Sequence, residues 1–288
     1  MVCQSTNSQV YEMAHHNQDS LYGADSTILA DDMAFWSAPF GRRLLDILRY
    51  KKFQMVLDLG CGFGFPLIEL SMRLGQSSTL FGLDPWSPAV LEAAHIIELH
   101  NLANVQLVEG CAEEMPFKDG FFDLVVSNNG VNNVNDLKRT FAEIHRVSKL
   151  GVQFAFTLNT DRTFESFYIV FREVLTDFNL HESLEKLREH VYSKRKPLVE
   201  YISLLESSGF ELISMQKDSF SYHFSDGTAM LSHSFIKTAF MPSWLDVVPQ
   251  GLHKSVFDRI EEKLNHMGEA SGRLSMEVPF LIIDSERL

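Results

Sequence analysis

The segment Val56 to Gly64, with the sequence VLDLGCGFG, constrains this chain more than any other. A mostly apolar run typical of a buried strand leads directly into glycines at positions 60, 62 and 64. Glycine adopts positive φ without strain and leaves the backbone bare, so main-chain amides at a helix N-terminus can approach a ligand. In open α/β sheets, ligands bind beyond the carboxyl ends of the strands. The segment therefore predicts a strand, a glycine loop and a helix beside a nucleotide-like ligand.

Two common nucleotide loops do not fit this segment. A dinucleotide-binding loop requires G-x-G-x-x-G, but Phe65 stands where its third glycine belongs and Gly64 comes one residue early. A Walker phosphate loop requires Lys followed by Ser or Thr, and neither pair follows here. Asp84 ends the next apolar run, where its carboxylate can bind both hydroxyls of a ribose or cap the following helix. We favour the ligand role because the glycines and this carboxylate occur together.

The rest of the chain predicts an α/β fold. From Met55 onward, short apolar runs alternate with amphipathic stretches, as in successive βα units around a mostly parallel, doubly wound sheet. Leucines at helical spacing predict a helix over 67–74 that ends at Gly75, and Ser87 is expected to cap the next helix. Seven strands are expected: Met55–Leu59, Thr79–Leu83, Val105–Val108, Phe122–Ser127, Val152–Leu158, Phe210–Ser214 with a possible extension to Phe224, and Glu277–Ile283.

Helical segments are expected at the N-terminus and in two insertions. In the second insertion, apolar residues step by four from Leu252 to Leu264, which predicts an amphipathic helix. The expected organisation is a helical arm or lid over residues 1–50, a cofactor-binding core over 51–160, a helical cap and crossover over 161–208, and the last strands over 209–288 with a helical insertion at about 226–268.

Composition excludes several classes of protein. The 288 residues are 45% hydrophobic and 22% charged, which is ordinary for globular proteins. A net charge of −13 disfavours nucleic acid and anionic membrane surfaces as partners. Three scattered cysteines indicate neither a disulfide framework nor a zinc site, and no apolar run is long enough to span a bilayer. We expect a cytoplasmic protein without a metal that acts on a small molecule, as a monomer or a homodimer.

The motifs together resemble the class I S-adenosylmethionine-dependent methyltransferase family. Asp58 to Gly64 with Asp84 carries the resemblance, and it continues through Gly110–Phe117, Phe122–Ser127 and Glu143–Val147. These segments resemble the small-molecule branch that includes the ubiquinone and menaquinone biosynthesis methyltransferases. The resemblance implies a Rossmann-like fold and S-adenosylmethionine as cofactor, with S-adenosylhomocysteine as product. It also implies methyl transfer to an oxygen, nitrogen or carbon atom of a small metabolite.

The resemblance also implies which residues contact the cofactor. This chain departs from the family at Cys111, where an aspartate is frequent, and at 149–151, where Lys-Leu-Gly replaces Pro-Gly-Gly. The implied contacts are Asp58, Gly60, Cys61, Gly62 and Gly64 for the methionine end, Asp84 for the ribose, Pro85 and Trp86 beside the adenine, Cys111, Ala112 and Glu113 at the adenine edge, and Asn128 and Asn129 near the methyl group.

Candidates for acceptor binding and proton removal lie outside the glycine loop. Imidazole titrates near the working pH, which makes His16 in the arm and His233 in the second insertion candidate general bases. Aromatic rings can hold a flat or apolar acceptor and stabilise a sulfonium, although core packing explains each ring taken alone. The basic run 194–196 is interpreted as a solvated helix end. The residues expected to line the acceptor site are His15, Phe35, Trp36, Phe164, Tyr168 and Phe235.

Two other functions remain open from the sequence. The same fold can serve a reaction without methyl transfer, such as ring closure or rearrangement, or can only bind a ligand. A methyltransferase acting on RNA or protein is a third hypothesis, which the net charge of −13 disfavours.

Overall fold

Seven strands form one mixed sheet in the order β3-β2-β1-β4-β5-β7-β6, in which only β7 runs antiparallel to its neighbours. The computed structural model describes residues 26–288, with side chains from residue 33 onward. The predicted α/β class and doubly wound sheet are confirmed. The strands are β1 (Met55–Leu59), β2 (Thr79–Asp84), β3 (Val105–Glu109), β4 (Phe122–Asn128), β5 (Ser148–Asn159), β6 (Phe210–Phe224) and β7 (Leu274–Arg287).

Helices cover both faces of the sheet. The predicted helix over 67–74 is confirmed: Leu67, Leu70 and Leu74 are buried, and Gly75 ends the helix with φ +68°. The α-helices are α1 (Ser26–Asp46), α2 (Leu67–Leu74), α3 (Ser87–Leu99), α4 (Leu137–Val147), α5 (Glu165–Asp177), α6 (His181–Lys194), α7 (Leu198–Ser207), α8 (Gly227–Ser232), α9 (Met241–Leu245) and α10 (His253–Ser271).

Strand β1 lies between β2 and β4 and is buried on both faces, which explains its mostly apolar sequence. On one face Leu57 packs in a cluster with Phe141 of α4. On the other face Val56 packs in a cluster with Leu67 of α2 and Leu44 of α1. The sheet therefore holds the loop that follows β1 between two packed layers.

Strand β6 reaches Phe224, the possible extension that the sequence indicated, and β7 is longer at both ends than the predicted Glu277–Ile283. Strand β5 ends at Asn159 opposite Phe280, whereas β6 and β7 stay paired for six further residue pairs, from Ser219 with Pro279 to Phe224 with Leu274. At about 3.3 Å per residue, this ribbon extends roughly 17–20 Å beyond the carboxyl edge of the sheet. Polar residues in the exposed edge strand β6 are the reason that the sequence left its extension beyond Ser214 open.

The two insertions are helical, as predicted; α5, α8 and α10 contact β6 or β7, whereas α7 packs with Phe210 in a core cluster of the sheet. Helices α5 to α7 follow β5, and α8 to α10 join β6 to β7; we call these six helices the cap. Val256, Ile260 and Leu264 of α10 are fully buried against the ribbon and α5, which confirms the predicted amphipathic helix. In the part of the chain that the structure describes, no helix is both long and apolar enough to cross a membrane. The proposed segment boundaries stay predictions.

Candidate functional site

The loop after β1 is folded tightly against the end of β2. Gly60, Gly62 and Gly64 have φ of +76°, +49° and +95°, a region that other L-residues adopt at a cost. The amides of Gly60 and Cys61 both donate to the carbonyl of Leu83, at 2.8 and 3.2 Å. Three positive φ angles in five residues explain why the sequence places glycine at alternate positions.

Close packing also requires glycine at positions 60 and 130. A Cβ on Gly60 would lie 2.8 Å from the Cα of Gly130, and a Cβ on Gly130 would lie 2.3 Å from the carbonyl oxygen of Leu59. The loops after β1 and β4 are therefore in backbone contact. Cys61 is 1% exposed, and its sulfur packs toward Gly82, so this residue can offer a ligand only its backbone.

Asp84 joins the glycine loop to the loop after β2. Its Oδ2 accepts from the amide of Gly62 and its Oδ1 from the amide of Trp86, both at 2.9 Å. Burial raises the pKa of Asp84. A carboxylate offers about four acceptor positions, so capacity remains for hydroxyl groups. The predicted cap at Ser87 is wrong: Trp86 is the capping residue of α3, without a side-chain cap bond, because Asp84 binds the Trp86 amide instead. Pro85, between them, is exposed.

The carboxylate of Asp58 has an unusual environment. Asp58 is fully buried, and neither of its oxygens makes a hydrogen bond of regular geometry, although the backbone amide of Leu67 lies close enough to lower its pKa. Burial, together with the negative charge of Asp84, raises the pKa of Asp58 to about 7. A buried carboxylate without donors is costly, and proteins retain such groups mainly where a ligand or ion supplies the missing partner. The position suits a ligand with a positive charge.

Other buried polar atoms without partners lie along the same edge of the sheet. They are the indole Nε1 of Trp86 after β2, Oδ1 of Asn132 after β4 and Oγ1 of Thr163 after β5. Asp58 adds the end of β1. Four strand ends therefore present unpaired donors or acceptors at the carboxyl edge, where ligands of open α/β sheets bind. Sequence reasoning missed Thr163, which stands in no motif, and it ranked Asn132, in the amide cluster after β4, below Asn128 and Asn129 as a ligand contact.

The predicted residues Asn128 and Asn129 lie at this edge within a network of amides. Asn128 accepts from the hydroxyl of Thr157 at 3.0 Å and donates to the carbonyl of Ser37 in α1 at 3.1 Å. Asn129 has φ +60°, and its Oδ1 accepts from the amide of Asn159 at 3.0 Å. Both side chains are thus held by protein groups, and their contact with a ligand stays a prediction.

The segment after β3 supplies the remaining predicted cofactor residues. Ala112 is buried and Cys111 is half-buried. One oxygen of Glu113 accepts from the amides of Asn135 and Asp136, at 2.7 and 3.1 Å. Glu113 therefore holds the loop before α4, and only its other oxygen is left by these bonds for an adenine edge.

Four of the six residues predicted for the acceptor site meet in one place, which we call the arm cluster. The ring of Trp36 in α1 lies 5.3 Å from that of Phe235 and 6.2 Å from that of Phe164, between centroids. The ring of Phe35 lies 5.5 Å from that of Tyr222 in the ribbon, and Tyr222 stacks on Trp36 at 6.2 Å. The arm, the cap and the ribbon each contribute rings.

Several residues of the arm cluster were missed, and one predicted member lies elsewhere. Phe220 and Tyr222 alternate along β6, and Phe240 follows in the second insertion; all three contact Trp36. Aromatic residues at every second position of β6 were a signal in the sequence. They indicate a ring cluster only once β6 is known to extend beyond the sheet as a ribbon. Tyr168 is 2% exposed and accepts from the indole of Trp244 at 3.1 Å, so it lies deeper in the cap.

Of the two candidate bases, His233 lies within the described residues and His16 does not. The ring of His233 packs edge-on against Phe224, at 5.6 Å between centroids, and its Nδ1 is buried without a partner. His233 therefore lies near the outer end of the ribbon, beside the arm cluster. The predicted arm histidines, His15 and His16, lie outside the described residues.

Helix α1 connects the arm cluster with the carboxyl edge. Besides the bond between Ser37 and Asn128, its Gly41 lies so close to the edge that a Cβ there would be 2.2 Å from the ring of Phe65. The helix can approach the glycine loop only because position 41 lacks a side chain.

Residues 57–156 match a family model described as a methyltransferase domain. This range contains the glycine loop, Asp84 and the edge residues of β4. Residues 57–156 form a class I S-adenosylmethionine-dependent methyltransferase domain. Over 110 residues the chain is 34% identical to the demethylmenaquinone methyltransferase of Staphylococcus carnosus, a match that covers 38% of this chain and 45% of that protein. The chain therefore spans less than half the length of this relative.

Solved structures extend the likeness of the methyltransferase domain to the arm and the cap. A putative methyltransferase from Bacillus halodurans aligns with a TM-score of 0.58 at 19% identity, over 85% of this chain and 97% of its own. The [4+2]-cyclase SpnF aligns with a TM-score of 0.52 at 15% identity, over 97% of this chain and 94% of its own. Likeness at these identities shows a shared fold.

Proposed function

We propose that this protein transfers the methyl group of S-adenosylmethionine to an oxygen, nitrogen or carbon atom of a small molecule held between the carboxyl edge and the arm cluster. The observation that carries the proposal is the buried, unpartnered carboxylate of Asp58 beside a glycine loop that Asp84 closes. The family match over residues 57–156 supports it.

The charges of the site favour this cofactor over a pyrophosphate ligand. Asp58 and Asp84 repel each other, and burial raises the pKa of both. A ligand with an ammonium and a sulfonium group relieves that repulsion, whereas a pyrophosphate adds to it. A Cβ on Gly62 would meet nothing within 4 Å, so one side of the loop is accessible to such a ligand.

In this proposal the cofactor supplies an activated methyl group, and the protein aligns the acceptor with it. Holding two reactants in attack geometry contributes about 7–11 kcal/mol to a barrier reduction. Asp58, the amide of Gly62 and Asp84 would bind the cofactor, and Asn128 and Asn129 would lie near the methyl group. The rings of the arm cluster would exclude water. A base must lie within hydrogen-bond reach of the proton that it removes, so His233, near the outer end of the ribbon, is our candidate base only for an acceptor whose proton lies at the arm cluster.

The acceptor we propose is flat and apolar, and it is not a nucleic acid. The arm cluster offers aromatic faces rather than charged groups, and the net charge of −13 opposes binding to a phosphate backbone. The relative from Staphylococcus carnosus is named for demethylmenaquinone, a small molecule. We further propose that the reaction takes place in the cytoplasm.

The test combines calorimetry with product analysis. We expect S-adenosylmethionine and S-adenosylhomocysteine both to bind, and incubation with a 1,4-naphthoquinol probe to yield a product heavier by one methyl group. The likeness to SpnF in fold keeps a reaction without methyl transfer as the alternative. Binding of both nucleosides without any methylated product, across quinol, phenol and amine probes, would favour that alternative. Failure of both nucleosides to bind would refute the proposal.

A further inference from the structure

The basic run at residues 194–196 does not form the solvated helix end that its sequence predicted. Arg195 follows the last residue of α6, and only 5% of its surface is exposed. Lys194 beside it is exposed, as predicted. The prediction is wrong for Arg195 because its guanidinium packs against the ring of Tyr168 in α5, which the local sequence does not indicate.

Arg195 is a buried cation without an anionic partner among the side chains described from residue 33 onward. Among the side chains that the structure describes, no carboxylate forms an ion pair with Arg195, and its Nε has no hydrogen-bond partner. Its Nη1 donates to the hydroxyl of Tyr168 at a long 3.5 Å, and its guanidinium lies 5.5 Å from the centroid of that ring. Glu200, close in sequence, accepts instead from the hydroxyl of Tyr192 at 2.7 Å.

The groups around Arg195 add donors rather than negative charge. The indole of Trp244 donates to the hydroxyl of Tyr168 at 3.1 Å, and the Nε2 of His190 lies 3.5 Å from the same hydroxyl. Burial and the positive charges of Arg195 and Lys194 lower the pKa of His190 to about 4, so this imidazole is neutral at physiological pH. The surroundings therefore do not compensate the charge of Arg195.

A row of rings leads from Arg195 to the arm cluster. Tyr168 contacts Trp244 at 6.3 Å, Trp244 contacts Phe240 at 5.5 Å, and Phe240 contacts Trp36 at 5.7 Å, all between centroids. A molecule with an apolar body along this row would place one end at the guanidinium.

We propose that Arg195 and Tyr168 bind an anionic group, carboxylate or phosphate, at the far end of the acceptor. This inference rests on the proposed function and narrows it to acceptors with an apolar body and one anionic end. A buried charge is expensive unless it is paired, and a guanidinium binds carboxylate or phosphate through two parallel hydrogen bonds. Arg195 lacks that pair among residues 33–288, and in this proposal the acceptor supplies it.

The test uses acetate, inorganic phosphate and phenyl phosphate as probes at constant ionic strength, with thermal unfolding and calorimetry of the full chain as readouts. We expect the wild-type protein to be stabilised, and phenyl phosphate to bind at least about tenfold more tightly than phosphate because its ring contacts the row. Acetate and phosphate alone separate the two anion chemistries. Binding of phosphate and phenyl phosphate with equal affinity would assign the site to a free anion and overturn the acceptor role.

Two variants separate binding from folding. Arg195→Met should lose anion binding at least about tenfold and should unfold at an equal or higher temperature without anion, because an unpaired buried charge is gone. Arg188→Met on the exposed side of α6 is the matched control and should behave as wild type. If Arg195→Met does not fold, Tyr168→Phe should weaken anion binding severalfold.

Absence of any anion response in the wild-type protein, or an equal response in Arg195→Met, overturns the inference. S-adenosylhomocysteine is titrated into the same samples. A protein that binds this nucleoside but no anion leaves the proposed function intact, whereas one that binds anions but not the nucleoside refutes the proposed function instead.

Discussion

The carboxyl edge of the sheet and the arm cluster lie next to each other but are built in opposite ways. The edge is built from backbone amides and two carboxylates, and buried polar atoms at four strand ends lack partners. In the arm cluster, rings from three parts of the chain satisfy one another by packing. The difference teaches that the edge leaves polar groups for a ligand to satisfy, whereas the cluster is a stabilising core whose rings satisfy one another.

The largest effect expected is the loss of cofactor binding in Asp84→Ala. Its carboxylate organises the amides of Gly62 and Trp86 and would bind two ribose hydroxyls, and each charge-assisted hydrogen bond contributes about 1.5–3 kcal/mol. We expect affinity for S-adenosylhomocysteine to fall about 100-fold or more by calorimetry. Asp119→Ala, which removes a mostly exposed carboxylate, is the control. An unchanged affinity in Asp84→Ala would show that the carboxyl edge does not bind this ligand through its polar groups.

The second prediction concerns the stability contributed by the arm cluster. Trp36 is half-buried and contacts six other rings. We expect Trp36→Ala to lower the free energy of unfolding by about 2 kcal/mol, less than for a fully buried ring. Urea denaturation measures this change, with Trp36→Phe as the milder control.

The same Trp36→Ala variant should keep its affinity for S-adenosylhomocysteine within about threefold. If its affinity fell as far as that of Asp84→Ala, the edge and the cluster would have to be regarded as one site.

The third prediction separates backbone strain from ligand contact. Gly62 and Gly151 both have positive φ, and a Cβ on either would meet nothing within 4 Å. Alanine at each should therefore cost a similar 1–2 kcal/mol in stability. Only Gly62→Ala should weaken S-adenosylhomocysteine binding, by about tenfold, because its methyl group would stand on the ligand side of the loop. Equal affinities of the two variants would show that the loop does not contact the ligand.

The smallest effect expected is a pH dependence of stability due to Asp58. Its pKa is about 7 in the folded protein, above its value of 3.8 in a free side chain, so the folded state holds this proton more tightly. The stabilising contribution is full below about pH 4 and is lost as the pH rises to about 7, with a slope of at most about 1.4 kcal/mol per pH unit.

Urea denaturation between about pH 5 and pH 8 measures this slope. In Asp58→Asn the part of the slope that is due to this carboxylate should disappear. The difference in the free energy of unfolding between variant and wild type should therefore grow with pH. A constant difference over this range would mean that Asp58 is not the isolated carboxylate described above.

Much of the fold was predictable because its signals are local. Strand β1 and the helix over 67–74 begin and end where their apolar patterns do, and Gly75 ends the helix through its own conformational freedom. The ribbon of β6 and β7 was only partly predictable, since an exposed edge strand carries polar residues that interrupt the alternation. Its length is set by pairing with a strand some fifty residues later.

By itself, the sequence determined the α/β class, the glycine loop and the carboxylate at the end of β2, because each depends on residues that are neighbours in the chain. Only the tertiary structure decided that Asp58 lacks a partner, that Trp36 meets rings from the ribbon and the cap, and that Arg195 is buried rather than solvated. Periodicity tells which residues avoid water, but the partner of a buried charge or ring is chosen by distant segments that folding brings together.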